Sequence, residues 1–81
     1  MFDICFSVAD KLNGGYKKTI CRIYRIYDEN HKDLISMETA YWNNQTDYYD
    51  LRIGKKEALK KAYNLLSDST RNEFDDWLEK L

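Results

Sequence analysis

The sequence predicts an α+β fold: a three-stranded antiparallel β-meander with two C-terminal α-helices packed on one face. Three observations predict it. The chain opens on strict apolar/polar alternation. Two runs rich in β-branched and aromatic residues follow, each bounded by turn residues. Only beyond residue 50 does the apolar spacing change from two to three and four. At 81 residues, 43% hydrophobic and 33% charged, the composition is that of a globular chain, and the length suits a single domain, 1–81, with one core.

In the first strand Phe2, Ile4, Phe6 and Val8 alternate with Asp3, Cys5, Ser7 and Ala9. Asn13-Gly14-Gly15 is a hairpin signal, because these residues tolerate positive φ. Thr19–Tyr27 is a second strand whose own alternation is ambiguous, with an arginine on each face. Asp28–Asp33 is a polar loop, and Leu34–Trp42 is the third strand. Register offers a way to decide between the faces. A three-residue loop at 13–15 pairs Val8 with Ile20, Phe6 with Arg22 and Ile4 with Tyr24. Pairing Tyr27 with Leu34 then sets Ile26 against Ile35, Tyr24 against Met37 and Ile20 against Tyr41. This arrangement gathers Ile20, Tyr24, Ile26, Ile35, Met37 and Tyr41 with Phe2, Ile4 and Phe6 on one core face.

Ala58, Leu59, Ala62, Tyr63 and Leu66 recur at helical spacing in 54–66 and leave the lysines on the far side. Thr70 with Glu73 resembles a capping box, followed by the stripe Phe74, Trp77, Leu78 and Leu81. The expected core also takes Tyr63 from the first helix.

The chain reads as a non-enzymatic binding protein. It has one histidine, His31, set in a polar run, and no phosphate-cradling glycine loop or nucleophile elbow. Neither a cofactor nor a metal is expected, since Asp28–Asp33 lacks the glycine and terminal glutamate of a calcium loop. Cys5 and Cys21 are expected as reduced diagonal neighbours on the outer face of the sheet, at the limit of disulfide reach. A net charge of −1 implies no general attraction to nucleic acid or membrane. Met1–Ala9 contains Asp3 and no basic leader, and no apolar run reaches the ~20 residues of a membrane span, so the expected location is cytoplasmic.

Two surfaces are candidates for binding a partner. Asp47, Tyr48, Tyr49 and Asp50 lie in a polar connection where burial of both tyrosines has no structural reason, and tyrosine suits an interface anchor. The outer sheet face, expected to carry Cys5, Ala9, Cys21, Ile23, Tyr27, Leu34, Ala40 and Trp42, is too apolar for a solvated face. Glu38 and Arg25 are its expected charges and lie close enough to pair. The candidate partner-binding residues are therefore Asp47, Tyr48, Tyr49, Asp50, Trp42 and Glu38.

Three segments carry a resemblance. Cys21-Arg22-Ile23-Tyr24-Arg25 in a hairpin, Ile53-Gly54-Lys55-Lys56-Glu57-Ala58-Leu59-Lys60-Lys61-Ala62 after it, and Arg71-x-x-Phe74-x-x-Trp77 at the end resemble a pattern in small phage and prophage proteins. These span about three-quarters of the chain. Such proteins include anti-CRISPR inhibitors. The resemblance implies an inhibitor that binds a host defence protein, a CRISPR effector first among them, in the cytoplasm of an infected or lysogenic bacterium. Effectors of that kind hold nucleic acid in basic channels, which an acidic-aromatic patch could occupy; Asp75, Asp76 and Glu79 would add to it. Two rival readings stay open. One is a nucleic-acid-binding regulator using Arg52, Lys55, Lys56, Lys60 and Lys61. The other is a virion assembly protein using the outer sheet face, and homo-oligomers are compatible with each.

Overall fold

The computed structural model describes residues 1–10, 16–43 and 51–81, and of Asp10, Tyr16, Trp42 and Asn43 the backbone alone. In chain order these form β1 (Phe2–Asp10), β2 (Tyr16–Asp28), β3 (His31–Asn43), α1 (Leu51–Asn64) and α2 (Asp68–Glu79). The strands make one antiparallel sheet in the order β1-β2-β3, so the α+β meander with two C-terminal helices is the observed fold. The Asn13–Gly15 turn lies outside the described residues. The β2–β3 turn is tighter than expected. Asp28 pairs with His31, and Asn30 N donates to Asp28 Oδ1 at 2.8 Å, so an Asx turn replaces the longer loop and His31–Asp33 join the strand.

The register corrects the expected faces. Val8 pairs with Thr19, Phe6 with Cys21 and Ile4 with Ile23, one residue away from the expected alignment. A one-residue slip turns a strand over. The helix-covered face of β2 is therefore Thr19, Cys21 and Ile23, at 1%, 0% and 0% exposure, while Ile20, Arg22, Tyr24 and Ile26 face the other way. The β2–β3 register differs from expectation by an even step over most of its length, which keeps the faces matched: Thr19 meets Ala40, Cys21 meets Glu38 and Ile23 meets Ser36. A bulge between Ile23 and Tyr24 leaves Ile35 without a partner, and Ile35 packs against the core.

Helix α1 lies on β2 and β3, and small residues let it come close. Ala58 and Ala62 are fully buried, and Gly54 continues the same i, i+4 line one turn earlier. A Cβ on Gly54 would fall inside contact distance of Thr19 Oγ1 and 3.2 Å from Thr19 Cβ. Ser36 Oγ donates a 2.6 Å hydrogen bond to the Ala62 carbonyl, satisfying a buried hydroxyl as burial requires. The helix begins at Leu51, three residues before Gly54. The glycine is thus a point of contact inside the first turn and not a boundary.

Helix α2 docks through aromatics. Phe74 is 1% exposed and meets Phe2 edge to face at 5.2 Å between centroids. Trp77 lies 5.6 Å from both Phe2 and Phe74, and Tyr63 of α1 closes the cluster at 6.0 Å from Phe74. Arg25 adds a 2.8 Å ion pair to Glu73 and sits over the Phe2 ring. Its partner is therefore Glu73, where Glu38 was expected. The N-cap is Ser67, whose Oγ accepts from Thr70 N at 3.3 Å, so the helix starts one turn before the expected Thr70/Glu73 box. Leu78 and Leu81, expected in the core stripe, are exposed.

Candidate functional site

The helices cover one face of the sheet and leave the other open. Alternation and register fix what the open face carries. Asp3, Tyr24 and Leu34 lie side by side across the three strands. Cys5, Arg22 and Met37 make the next row, then Ser7, Ile20 and Thr39, then Ala9, Lys18 and Tyr41. Of these, Leu34, Met37 and Tyr41 are 49%, 48% and 72% exposed, and Tyr24 and Ile20 are half-buried among their neighbours. Aromatic, thioether and branched aliphatic groups on one open face make a patch with large contact area, in which the tyrosine rings are stiff and the Met37 side chain adaptable.

Short polar contacts stiffen this patch. Arg22 Nη1 donates to Ser7 Oγ at 2.9 Å, which lays the guanidinium across β1. Lys32 Nζ sits 4.5 Å above the Tyr24 ring and 3.7 Å from Asp3 Oδ2, so the ring is held between a cation and the sheet. Cys5 Sγ donates weakly to Asp3 Oδ2 at 3.5 Å. Lys18 and Arg22 on these rows, with Lys32 opposite Ile26 on the row beyond Tyr24, outnumber Asp3, so the face is mildly basic. At its hairpin end a shallow pocket of about 390 Å³ is lined by Asp3, Ile26, Asp28, Glu29, Asn30, His31 and Lys32. His31 is set there by an edge contact with Tyr27 at 5.2 Å and by Asp33 Oδ1 at 3.7 Å. Among the described residues no three His, Cys, Asp or Glu side chains are grouped to hold a metal ion.

The residues expected to bind a partner divide three ways. Asp47, Tyr48, Tyr49 and Asp50 lie outside the described residues. Trp42 is described in its backbone only, paired with Lys17. Glu38 pairs with Cys21 and is half-buried on the helix-covered face, and its carboxylate accepts from Thr39 N at 3.4 Å. The outer face anticipated from the sequence is replaced in part. Cys21, Ile23 and Ala40 belong to the core, whereas Cys5, Ala9 and Leu34 are on the open face as expected. Tyr24, Met37 and Tyr41, expected inside, are the residues that the register brings out.

The cysteines lie on opposite faces, since Cys5 pairs with Arg22 and Cys21 with Phe6, and both are free thiols. Burial pushes the Cys21 thiol from its ordinary 9.0 up to about 11, and the nearby Cys5 adds to the shift. Cys21 is thus an inert core thiol.

The charged helices are also tied into the fold. On α2, Asp75 accepts from Tyr63 Oη at 2.9 Å, Asp76 pairs with Lys80 at 3.0 Å, and Asp68 pairs with Arg71. On α1, Lys55 Nζ sits 5.4 Å over the Phe6 ring and Lys61 Nζ donates to the Thr39 carbonyl at 3.3 Å, so the lysines do not form one outward stripe.

No family model, curated protein or solved structure matches this chain. No described helix is long and apolar enough to cross a membrane.

Proposed function

We propose that the chain is a non-enzymatic inhibitor of the phage type that binds a host defence protein, a CRISPR effector, through the open face of its sheet. The observation that carries the binding reading is the row-by-row composition of that face. Leu34, Met37 and Tyr41 stand exposed beside Tyr24 and Ile20, on a scaffold whose opposite face is covered by helices. The choice of partner rests on the resemblance to phage and prophage proteins. Blocking then works by occupation of a protein surface that the effector needs for nucleic acid or for its nuclease step. Phosphate imitation by α2 is a weaker route, because Asp68, Asp75 and Asp76 already have partners. Asp47 and Asp50 remain the carboxylates that could add it.

The test is a cleavage assay in which the purified chain is added to an effector loaded with guide and target. Inhibition should be lost in a Met37→Glu/Tyr41→Ala double variant that keeps its circular dichroism. If that variant inhibits normally while Tyr48→Ala/Tyr49→Ala does not, the interface is the connecting loop and the sheet-face reading fails.

One observation favours a second reading. Lys18, Arg22 and Lys32 share the open face with Tyr24 and Tyr41, the mixture of cations and stacking rings that suits single-stranded nucleic acid. Fluorescence anisotropy with a labelled oligonucleotide separates the two. Binding tighter than about 10 μM at physiological salt that weakens steeply as salt rises would favour the regulator.

A further inference from the structure

The two edges of the sheet are built differently. On the β3 edge a bulge at Ile35 interrupts the ladder, Lys32, Asp33 and Glu38 bring charge, and α1 reaches over far enough for Lys61 to hydrogen-bond the Thr39 carbonyl. Bulges, charge and helical cover are the devices by which sheets protect an edge. Strand β1 has no bulge, its two charges, Asp3 and Asp10, stand near its ends, and α2 covers it at Phe2. Its nine residues include neither proline nor lysine, and its register against β2 runs unbroken from Phe2 to Asp10.

The hydrogen-bonding direction of β1 follows from one contact. Ile26 N donates to the Met1 carbonyl at 2.9 Å, so Met1 turns its backbone toward β2. Backbone direction alternates along a strand. Asp3, Cys5, Ser7 and Ala9 therefore bond to β2, and Phe2, Ile4, Phe6, Val8 and Asp10 point their N–H and C=O groups outward. Among the described residues no other backbone group bonds to this outward row. On the helix side of the same strand the cover is thin toward the far end: Val8 is 46% exposed, and Ile4 and Phe6 are half-buried.

We propose that β1 pairs antiparallel with β1 of a second copy about a two-fold axis at Phe6, joining two three-stranded sheets into one of six strands. Phe6 is the midpoint of the strand, so this register pairs its whole length. It sets Ile4 opposite Val8 and Phe6 opposite Phe6 on the helix side, with Cys5 opposite Ser7 and Asp3 opposite Ala9 on the open side. At the two ends Phe2 lies opposite Asp10. The central Ile4, Phe6 and Val8 meet apolar residues, and Asp3 and Asp10 never face another acid. The outward groups of Ile4, Phe6 and Val8 all find partners, as an isologous contact requires. The proposal does not depend on which partner the open face binds.

The test is sedimentation equilibrium on the intact chain from about 1 μM to about 1 mM, the range over which a weak dimer populates. The expected result is a concentration-dependent rise from the 9.7 kDa chain mass toward twice that value. Val8→Pro removes an outward N–H and leaves the β2 ladder intact, and should weaken association about tenfold or more. Val8→Lys, at a site already half in solvent, should do the same if the proline variant fails to fold. Cross-linking fixes the register. Ser7→Cys should form an intermolecular disulfide with Cys5 of the second copy on mild oxidation, because directly opposed residues that exchange no backbone hydrogen bonds lie about 4.5 Å apart at Cα. A chain monomeric throughout, or a dimer indifferent to both Val8 variants, overturns the proposal. A Cys5–Cys5 disulfide in the unmodified chain would place the axis at Cys5 and overturn the Phe6 register.

Discussion

Beneath α1, the two faces of β2 and β3 differ less in hydrophobicity than in side-chain size. The covered face of β2 is Thr19, Cys21 and Ile23, opposite Ala40, Glu38 and Ser36 on β3. The open face holds the bulkier Ile20, Arg22 and Tyr24 opposite Thr39, Met37 and Leu34, with Tyr41 beside Lys18. Size decides because of α1. A helix that presents Gly54, Ala58 and Ala62 comes so close to the strands that a tyrosine ring beneath it would push it away. The residues of β2 and β3 buried here are mostly small, Thr19 and Ser36 hydroxylated among them. Tyr24 and Tyr41 face out, while the covered face takes its aromatics, Phe2 and Phe6, from β1. Stability is therefore expected to reside on one face and binding on the other.

The largest expected effect is at the aromatic end of the covered side. Phe74 is 1% exposed and touches Phe2, Tyr63 and Trp77, so Phe74→Ala should cost about 3–5 kcal/mol, read from chemical denaturation. Trp77 is only half-buried, and Trp77→Ala should cost less, about 1–3 kcal/mol. If the two variants lose equal stability, the cluster is not centred on Phe74.

Alkaline pH tests the covered face itself. The Cys21 thiol titrates at about 11 in the folded chain against 9.0 when exposed, so folding favours its protonated form. That contribution is complete below pH 9 and is lost as pH rises from 9 to 11, because the unfolded chain gives up the proton first. Stability should fall by about 2–3 kcal/mol across that window, and Cys21→Ala should flatten the slope. Tyr63 acts in the same direction from its hydrogen bond to Asp75, starting above pH 10. An unchanged slope in Cys21→Ala would mean that the thiol is not buried.

A smaller loss is expected at the close approach of α1. Alanine is the better helix former by about 1 kcal/mol. Gly54→Ala should nonetheless destabilise by about 1–3 kcal/mol, since its Cβ meets Thr19. Adding Thr19→Ala should recover part of that loss, a coupling that independent sites would not show. Smallest of all is the open face, where Met37→Glu should change stability by under about 0.5 kcal/mol. A large loss there would mean that the face is covered after all.

The fold class was legible in the sequence because it depends on periodicity, which spacing alone reveals. Phe2, Ile4 and Phe6 share the covered face as their alternation predicts, and Ala58, Ala62, Leu66 and Phe74 are in the core. The candidate site was less legible, because β2 carries apolar residues and an arginine on each face. Choosing between those faces from hydropathy favours Ile20, Tyr24 and Ile26, while the structure favours what fits beneath α1. A signal was present in the Gly54, Ala58, Ala62 line, whose small residues call for small partners on the strands. The bulge at Ile35 carries no comparable mark, and the α2 cap was misplaced because Ser67 and Thr70 both precede helical spacing.

Thiol labelling of the folded chain tests most directly which face is covered. Cys5 lies on the open face, half-buried, and Cys21 is 0% exposed beneath α1. With a water-soluble maleimide at neutral pH, followed by peptide mapping, Cys5 should be modified within minutes. Cys21 should stay unmodified until denaturant is added, its rate then set by unfolding. Equal modification of the two in the folded state would place both cysteines on the open face and contradict the register on which the binding face depends.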